Sequence, residues 1–137
     1  GFDILSEEFQ EALRLEEIEN IHIAGIHCHF ASRSLETWQV RTEQILKLID
    51  QTGIHPEYLD LGGGLFGRME ESLKEQFPCK IPTYQEYART AAQPFAEYFS
   101  KKDKPLLLLE PGSALVGDCM HFFSKVINVS SMKNKCP

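Results

Sequence analysis

IHIAGIHCHFAS, residues 21–32, is apolar or β-branched at nearly every position until it ends in His27, His29 and Ser32. A run of this kind, here over residues 21–30 with no alternation of polar and apolar residues, is the pattern of a parallel strand buried on both faces. Its polar end is then the carboxyl end of a strand. Parallel α/β folds place ligands there. Two-residue periodicity puts His27 and His29 on one side of the strand. Cys28 points the other way, toward a helix layer, as a small core residue.

The flanking segments fit the same alternation. Ser6 is placed to cap a helix over residues 7–17 with Phe9, Ala12 and Leu13 on one face. Ser34 is placed to cap a second over 35–51, with Leu35, Trp38, Ile45 and Ile49 on one side and Gly53 as its stop. EYLDLGGG (57–64) is a short strand running into glycines. Residues 65–82 read as a long loop with a short helix around 69–76. Thr83 and Glu86 make a capping box before a helix that repeats Tyr84, Tyr87, Ala88, Ala91, Phe95 and Phe99, with Pro94 expected to kink it. PLLLLEPG (105–112) is a third strand. HFFSKVINVSS (121–131), after a turn, reads as a fourth. The order αβαβαβ plus a strand predicts an α/β fold with a parallel sheet and helices outside it.

The 137 residues are 42% hydrophobic and 25% charged, an ordinary globular composition. A net charge of -6 argues against a nucleic-acid surface, and the short basic run Lys101, Lys102, Lys104 reads as a solvated helix end. No apolar run approaches the roughly 20 residues of a membrane helix. The four cysteines, Cys28, Cys79, Cys119 and Cys136, are scattered without a CxxC pair, which argues against a zinc knuckle. The acidic, amphipathic start does not resemble a signal peptide, so the expectation is a cytoplasmic protein with reduced thiols.

Three strands thus end in unusual chemistry: His27, His29 and Ser32; Gly62, Gly63 and Gly64; Glu110, Pro111 and Gly112. In a parallel sheet these tips converge. Three glycines after a strand let backbone N–H groups approach an anion, or simply make a tight turn. A carboxylate closing LLLLE needs a partner, whether a salt bridge, a helix cap or a ligand. A histidine at a strand end offers a ring to stack, a proton to move or a metal ligand. A His-x-His pair can hold zinc only with further ligands. Of the other histidines, His22 starts its strand, His55 precedes one and His121 follows the last turn. None is placed as a third ligand, and no metal is expected.

GIHCHFAS, LDLGGGLFG and EPGSALVG, in this order, resemble the barrel domain of the pyridoxal-phosphate decarboxylases of the alanine-racemase-like fold, the diaminopimelate, ornithine and arginine decarboxylases, and most of all its diaminopimelate branch. The opening GFD is similar to the stretch after that family's arginine- and phenylalanine-containing strand. The resemblance implies pyridoxal 5'-phosphate as cofactor. His29 would stack on its ring, and Ser32 with Gly62, Gly63 and Gly64 would hold its phosphate. Glu110 would pair with the pyridine nitrogen, keeping it protonated so that the ring accepts electrons. Pro111, Gly112 and Ser113 complete this cofactor-binding set, with Gly112 letting the backbone pass close to the phosphate. His27 is a neighbour without an assigned role. Two departures stand out. The family's His-x-Gly-Ser is His29-Phe30-Ala31-Ser32, and its Glu-Pro-Gly-Arg is Glu110-Pro111-Gly112-Ser113, which trades a charged fork for a hydroxyl.

An eight-stranded barrel needs about 250 residues. The resemblance therefore implies a piece of a TIM-type (β/α)8 barrel, about its last three βα units over 1–118, with residues 119–137 starting a truncated C-terminal β-domain. The Schiff-base lysine of the family would lie before Gly1, so no catalytic residue is assigned here. The implied function is decarboxylation of an amino acid or diamino acid by a homodimer, with no nucleic-acid or membrane partner. A catalytically inactive homologue acting as a binding protein, and a metal-dependent hydrolase using His27 and His29, are the alternatives.

Overall fold

The computed structural model describes residues 1–18, 20–100, 103–119 and 121–129. Its centre is one sheet of three parallel strands in the order β1 (Gly25–His27), β2 (Tyr58–Asp60) and β3 (Leu106–Leu108). Gly25 pairs with Tyr58 and Tyr58 with Leu106, and the register runs on to His27, Asp60 and Leu108. Beyond the strands proper, Cys28 N donates to Asp60 O at 2.9 Å, Leu61 N to Leu108 O at 3.1 Å and Glu110 N to Gly62 O at 2.9 Å. The backbone ladder therefore carries all three polar tips to one edge.

Helix α1 (Glu7–Arg14) starts at Ser6, whose hydroxyl accepts from Phe9 N, and ends in a 3-10 turn over Leu15–Glu17. Helix α2 (Leu35–Thr52) is capped by Ser34 and stopped by Gly53 in the left-handed region. A single turn, α3 (Glu71–Lys74), is what the loop over 65–82 holds. Helix α4 (Tyr84–Tyr87) opens with the Thr83–Glu86 capping box. It widens into a π-helical turn, Ala88–Ala92, before α5 (Gln93–Tyr98). The expected kink at Pro94 takes this form: proline has no N–H for the carbonyl four residues back, and the widened turn accommodates its ring. A last turn, α6 (Ser113–Val116), follows the third tip.

The core lies between the sheet and one helix layer. Trp38, Ile45 and Ile49 of α2 meet Leu59, Leu61, Tyr87, Ala91, Phe95 and Phe99. Trp38 and Tyr87 pack edge to face at 5.5 Å. Full burial of each such side chain contributes roughly 1.5–3 kcal/mol.

Several expectations need correction. The strands are shorter than 21–30, 57–64 and 105–112. They are also not buried on both faces, since only Leu59 of the strand residues is buried while Tyr58 and Leu106 are exposed. The described helices cover one face, so the apolar runs of β1 and β3 lack a second partner layer. Residues 121–129 of the expected fourth strand are not a strand. They have no strand to pair with among the described residues, and Phe122 and Ile127 are each 94% exposed. The remainder of that segment, the tail with Cys136, and Lys101 and Lys102 of the basic run lie outside the described residues. Cys28, Cys79 and Cys119 carry free thiols. No described helix is long and apolar enough to cross a membrane.

Candidate functional site

The site is built where the three tips meet. His29 Nδ1 lies 3.3 Å from Glu110 Oε2, and His27 Nε2 lies 3.5 Å from the same oxygen. Cys28, between them, turns into the helix layer and packs against the core, where burial raises its thiol pKa and Arg41 opposes the rise. The two-residue alternation therefore sorts the strand end as expected.

The glycine tip is packed between the other two. A Cβ at Gly63 would stand 2.5 Å from Glu110 O, and one at Gly64, where φ is +92°, would stand 2.6 Å from Ser32 O. No side chain fits at either position, and that close approach is what joins β1, β2 and β3 at their ends. Ser32 Oγ is exposed and lies within 3.4 Å of Ser34 Oγ. Pro111 O accepts from Ala114 N at 3.0 Å, which starts α6 beyond Gly112, and Ser113 lies exposed in its first turn. Tyr84 Oη donates to Ala114 O at 2.9 Å and ties α4 to this third tip.

The N–H groups of the glycines are partly engaged. Gly62 N donates to Asp60 Oδ1 at 2.8 Å, and Gly63 N approaches His29 Nδ1 at 3.2 Å. His29 Nδ1 thus has two claimants, Gly63 N–H and Glu110 Oε2. One nitrogen cannot serve both. Bare, it accepts from Gly63; protonated, it donates to Glu110 and releases Gly63. The tautomer of His29 couples the glycine loop to the carboxylate. Gly64 N–H has no bond of this kind among the described residues.

His22, His55 and His121 are not placed as a third metal ligand beside His27 and His29. Glu110 stands in that place: His27, His29 and Glu110 present donor atoms within 4.8 Å of one another. The 3.3 and 3.5 Å separations are close to the ~3.3 Å between ligand atoms bound at about 2.0–2.1 Å around a tetrahedral zinc.

Arg41 was not among the sequence candidates. It is 0% exposed. It donates to Leu61 O, to Gly63 O at 2.9 Å and to Phe30 O at 3.3 Å. Its guanidinium lies over the rings of Trp38, at 4.4 Å, and Phe30, at 5.4 Å. Burial lowers its pKa from the ordinary arginine value, and its Nε has no hydrogen-bond partner among the described residues. The signal for it was in the sequence: Trp38, Arg41, Ile45 and Leu48 share one helical stripe, and a charge on an apolar stripe needs a reason.

Residues 1–117 match the family described as pyridoxal-dependent decarboxylase, pyridoxal binding domain. The chain belongs to this family. It is 27% identical over 135 residues to the diaminopimelate decarboxylase of Methanocaldococcus jannaschii, across 94% of this chain and 30% of that protein. It is 31% identical over 126 residues to that of Halalkalibacterium halodurans, across 86% of this chain and 28% of that protein. The crystal structure of the M. jannaschii enzyme matches with a TM-score of 0.67 at 27% identity, over 84% of this chain and 26% of that one. The arginine decarboxylase of Paramecium bursaria Chlorella virus, TM-score 0.53 at 18% identity over 80% of this chain and 28% of that one, shares the fold. The chain spans about 30% of the length of the curated relatives it matches.

Proposed function

We propose that this segment is the cofactor-binding part of a pyridoxal-phosphate-dependent decarboxylase of the diaminopimelate type, acting on an amino acid or diamino acid, and that it forms about three successive βα units of a (β/α)8 barrel. The observation that carries the reading is the meeting of His29 and Glu110, 81 residues apart, at 3.3 Å beside a glycine loop that admits no side chain. A planar ring with an anionic tail and a basic nitrogen suits this set: a flat imidazole, a carboxylate, and backbone and hydroxyl donors.

Bound there, pyridoxal phosphate supplies an electron sink for the pair left behind when the substrate's carboxyl carbon departs as CO2. Glu110, ionised, accepts from the ring N–H and keeps that nitrogen protonated. His29 gives its face to the ring. Gly64 N–H and the Ser32 hydroxyl donate to the phosphate. With His29 protonated at Nδ1, that nitrogen donates to Glu110 and the Gly63 N–H joins them. Gly112 and Ser113 close the phosphate side. Among the described residues Lys47, Lys74, Lys80, Lys104 and Lys125 stand on none of the three tips, and the lysine that binds the cofactor covalently is assigned to another strand of the barrel. A homodimer is part of the same proposal.

An absorbance scan of the full-length protein, with CO2 release measured on diaminopimelate and a panel of amino acids, tests this reading. Expected are a visible-range cofactor band and release from at least one substrate. A colourless protein that takes up no added pyridoxal phosphate defeats it. A coloured protein that releases no CO2 selects the inactive homologue. The three-ligand cluster favours a metal hydrolase as the second reading, and stoichiometric zinc in a protein without cofactor would select that one.

A further inference from the structure

Arg41 is a buried cation with no described carboxylate beside it, an arrangement that ordinarily destabilises a fold. What surrounds it is backbone oxygen. Leu61 O and Gly63 O come from the second tip and Phe30 O from the first. One turn earlier on α2, Trp38 Nε1 donates to Gly64 O at 3.0 Å. The carbonyls of residues 61, 63 and 64 are thus all drawn toward α2. A trans peptide points its N–H opposite its C=O. The peptide whose oxygen Arg41 holds through Gly63 therefore turns its N–H, that of Gly64, away from the helix, and this is the N–H without a described partner. The rim in front also carries two carboxylates, Asp60 and Glu110, which repel a phosphate dianion.

We infer that Arg41 is a positioning residue for the anion site: from behind the glycine loop it fixes the outward aim of the Gly64 N–H and supplies the positive charge that offsets the rim carboxylates when a phosphate ester binds. This rests on the cofactor reading above and assigns the phosphate, rather than the ring, to the influence of α2. Arginine stays protonated in proteins, and its charge lies one hydrogen bond from the loop, in a buried setting where screening is weak.

The test compares pyridoxal phosphate with pyridoxal, which lacks the phosphate, on the full-length protein and on Arg41→Met and Arg41→Lys. For Arg41→Met the affinity for pyridoxal phosphate is expected to fall at least about tenfold, the scale of one lost charge-assisted interaction, with pyridoxal changed less than about twofold. Inorganic phosphate should likewise lose its ability to compete. A purely structural role would weaken both ligands alike, and equal losses, or none, overturn the inference. If Arg41→Met does not fold, Arg41→Lys carries the comparison, because a point charge replaces the fork. A fall in the preference for the phosphorylated ligand supports the inference, and an unchanged preference overturns it. A wild-type protein that binds neither ligand defeats the cofactor reading and this inference together. A wild-type preference for pyridoxal phosphate that both variants keep defeats this inference alone.

Discussion

The two ends of the sheet carry similar residues in different states. At the amino end, His22 sits between two carboxylates, with Nδ1 3.1 Å from Glu16 and Nε2 2.9 Å from Glu57. Glu16 also accepts from Ile23 N at 3.0 Å. Each nitrogen of that ring faces its own carboxylate with no second claimant among the described residues, and because a carboxylate only accepts, both contacts are donations when both nitrogens carry a proton. At the carboxyl end the accounting does not close: His29 Nδ1 has two claimants, and Arg41 Nε has none among the described residues. A histidine and a glutamate together say little. Surplus and shortfall among their hydrogen bonds separate a cluster that holds a fold from one that is arranged for a ligand.

The sharpest way to break this comparison is Glu110→Gln in the full-length protein. The amide keeps the shape and loses the charge that keeps a bound ring nitrogen protonated. Decarboxylation should fall by at least about a hundredfold while the cofactor still binds, a loss of the size seen when an electrostatic partner of the transition state is removed. Near-normal turnover would place Glu110 with the satisfied clusters. His29→Ala comes next. Stacking and shape are lost together, so cofactor retention should weaken by about tenfold, read from the visible absorbance during dialysis. An unchanged spectrum and affinity would remove His29 from the site.

The mirror experiment is His22→Ala. Its partners are exposed, and exposed pairs contribute about 0.2–1 kcal/mol. Thermal or denaturant unfolding should shift by no more than this, and cofactor affinity should not move. A clear loss of cofactor binding in this variant would mean that the two ends communicate, and that satisfied hydrogen bonding is a poor sign of a purely structural cluster.

The same contrast explains what was legible in the sequence. Local chemistry was. Ser6, Ser34 and the Thr83–Glu86 box cap where their spacing places them, because a cap needs only residues three apart. The parallel order and the three polar tips followed from continuous apolar runs ending in His29, the glycines and Glu110. What needed the third dimension was not legible. Strand lengths depend on how long neighbours stay in register. HFFSKVINV has the composition of a strand and no partner to make it one. Pro94 announced a disruption, but not its form, a π-helical turn at Ala88–Ala92. The carbonyls that hold Arg41 come from residues 11, 20 and 22 positions away, and no local pattern could name them.

Glu86 offers the smallest effect, since it caps α4 and belongs to neither cluster of histidine and glutamate. Lys80 bonds its carboxylate, and the Thr83 backbone and hydroxyl donate to it as well, so its pKa is lowered from 4.5 to about 2. The sign follows from linkage: the folded state binds the proton more weakly than the unfolded chain. The stabilisation is therefore complete above about pH 4.5 and is lost as the pH falls through the folded value near 2. Glu86→Gln still reaches the Thr83 N–H but carries no titrating charge. Its melting temperature should lie slightly below that of the wild type at pH 6, with the gap closing between pH 4.5 and 2. Cofactor affinity should be the same at every pH where both proteins are folded. A gap that does not narrow between pH 4.5 and 2 would show that the amide distorts the cap rather than removing a charge, and Glu86 would then serve as a packing residue instead of the partner of Lys80.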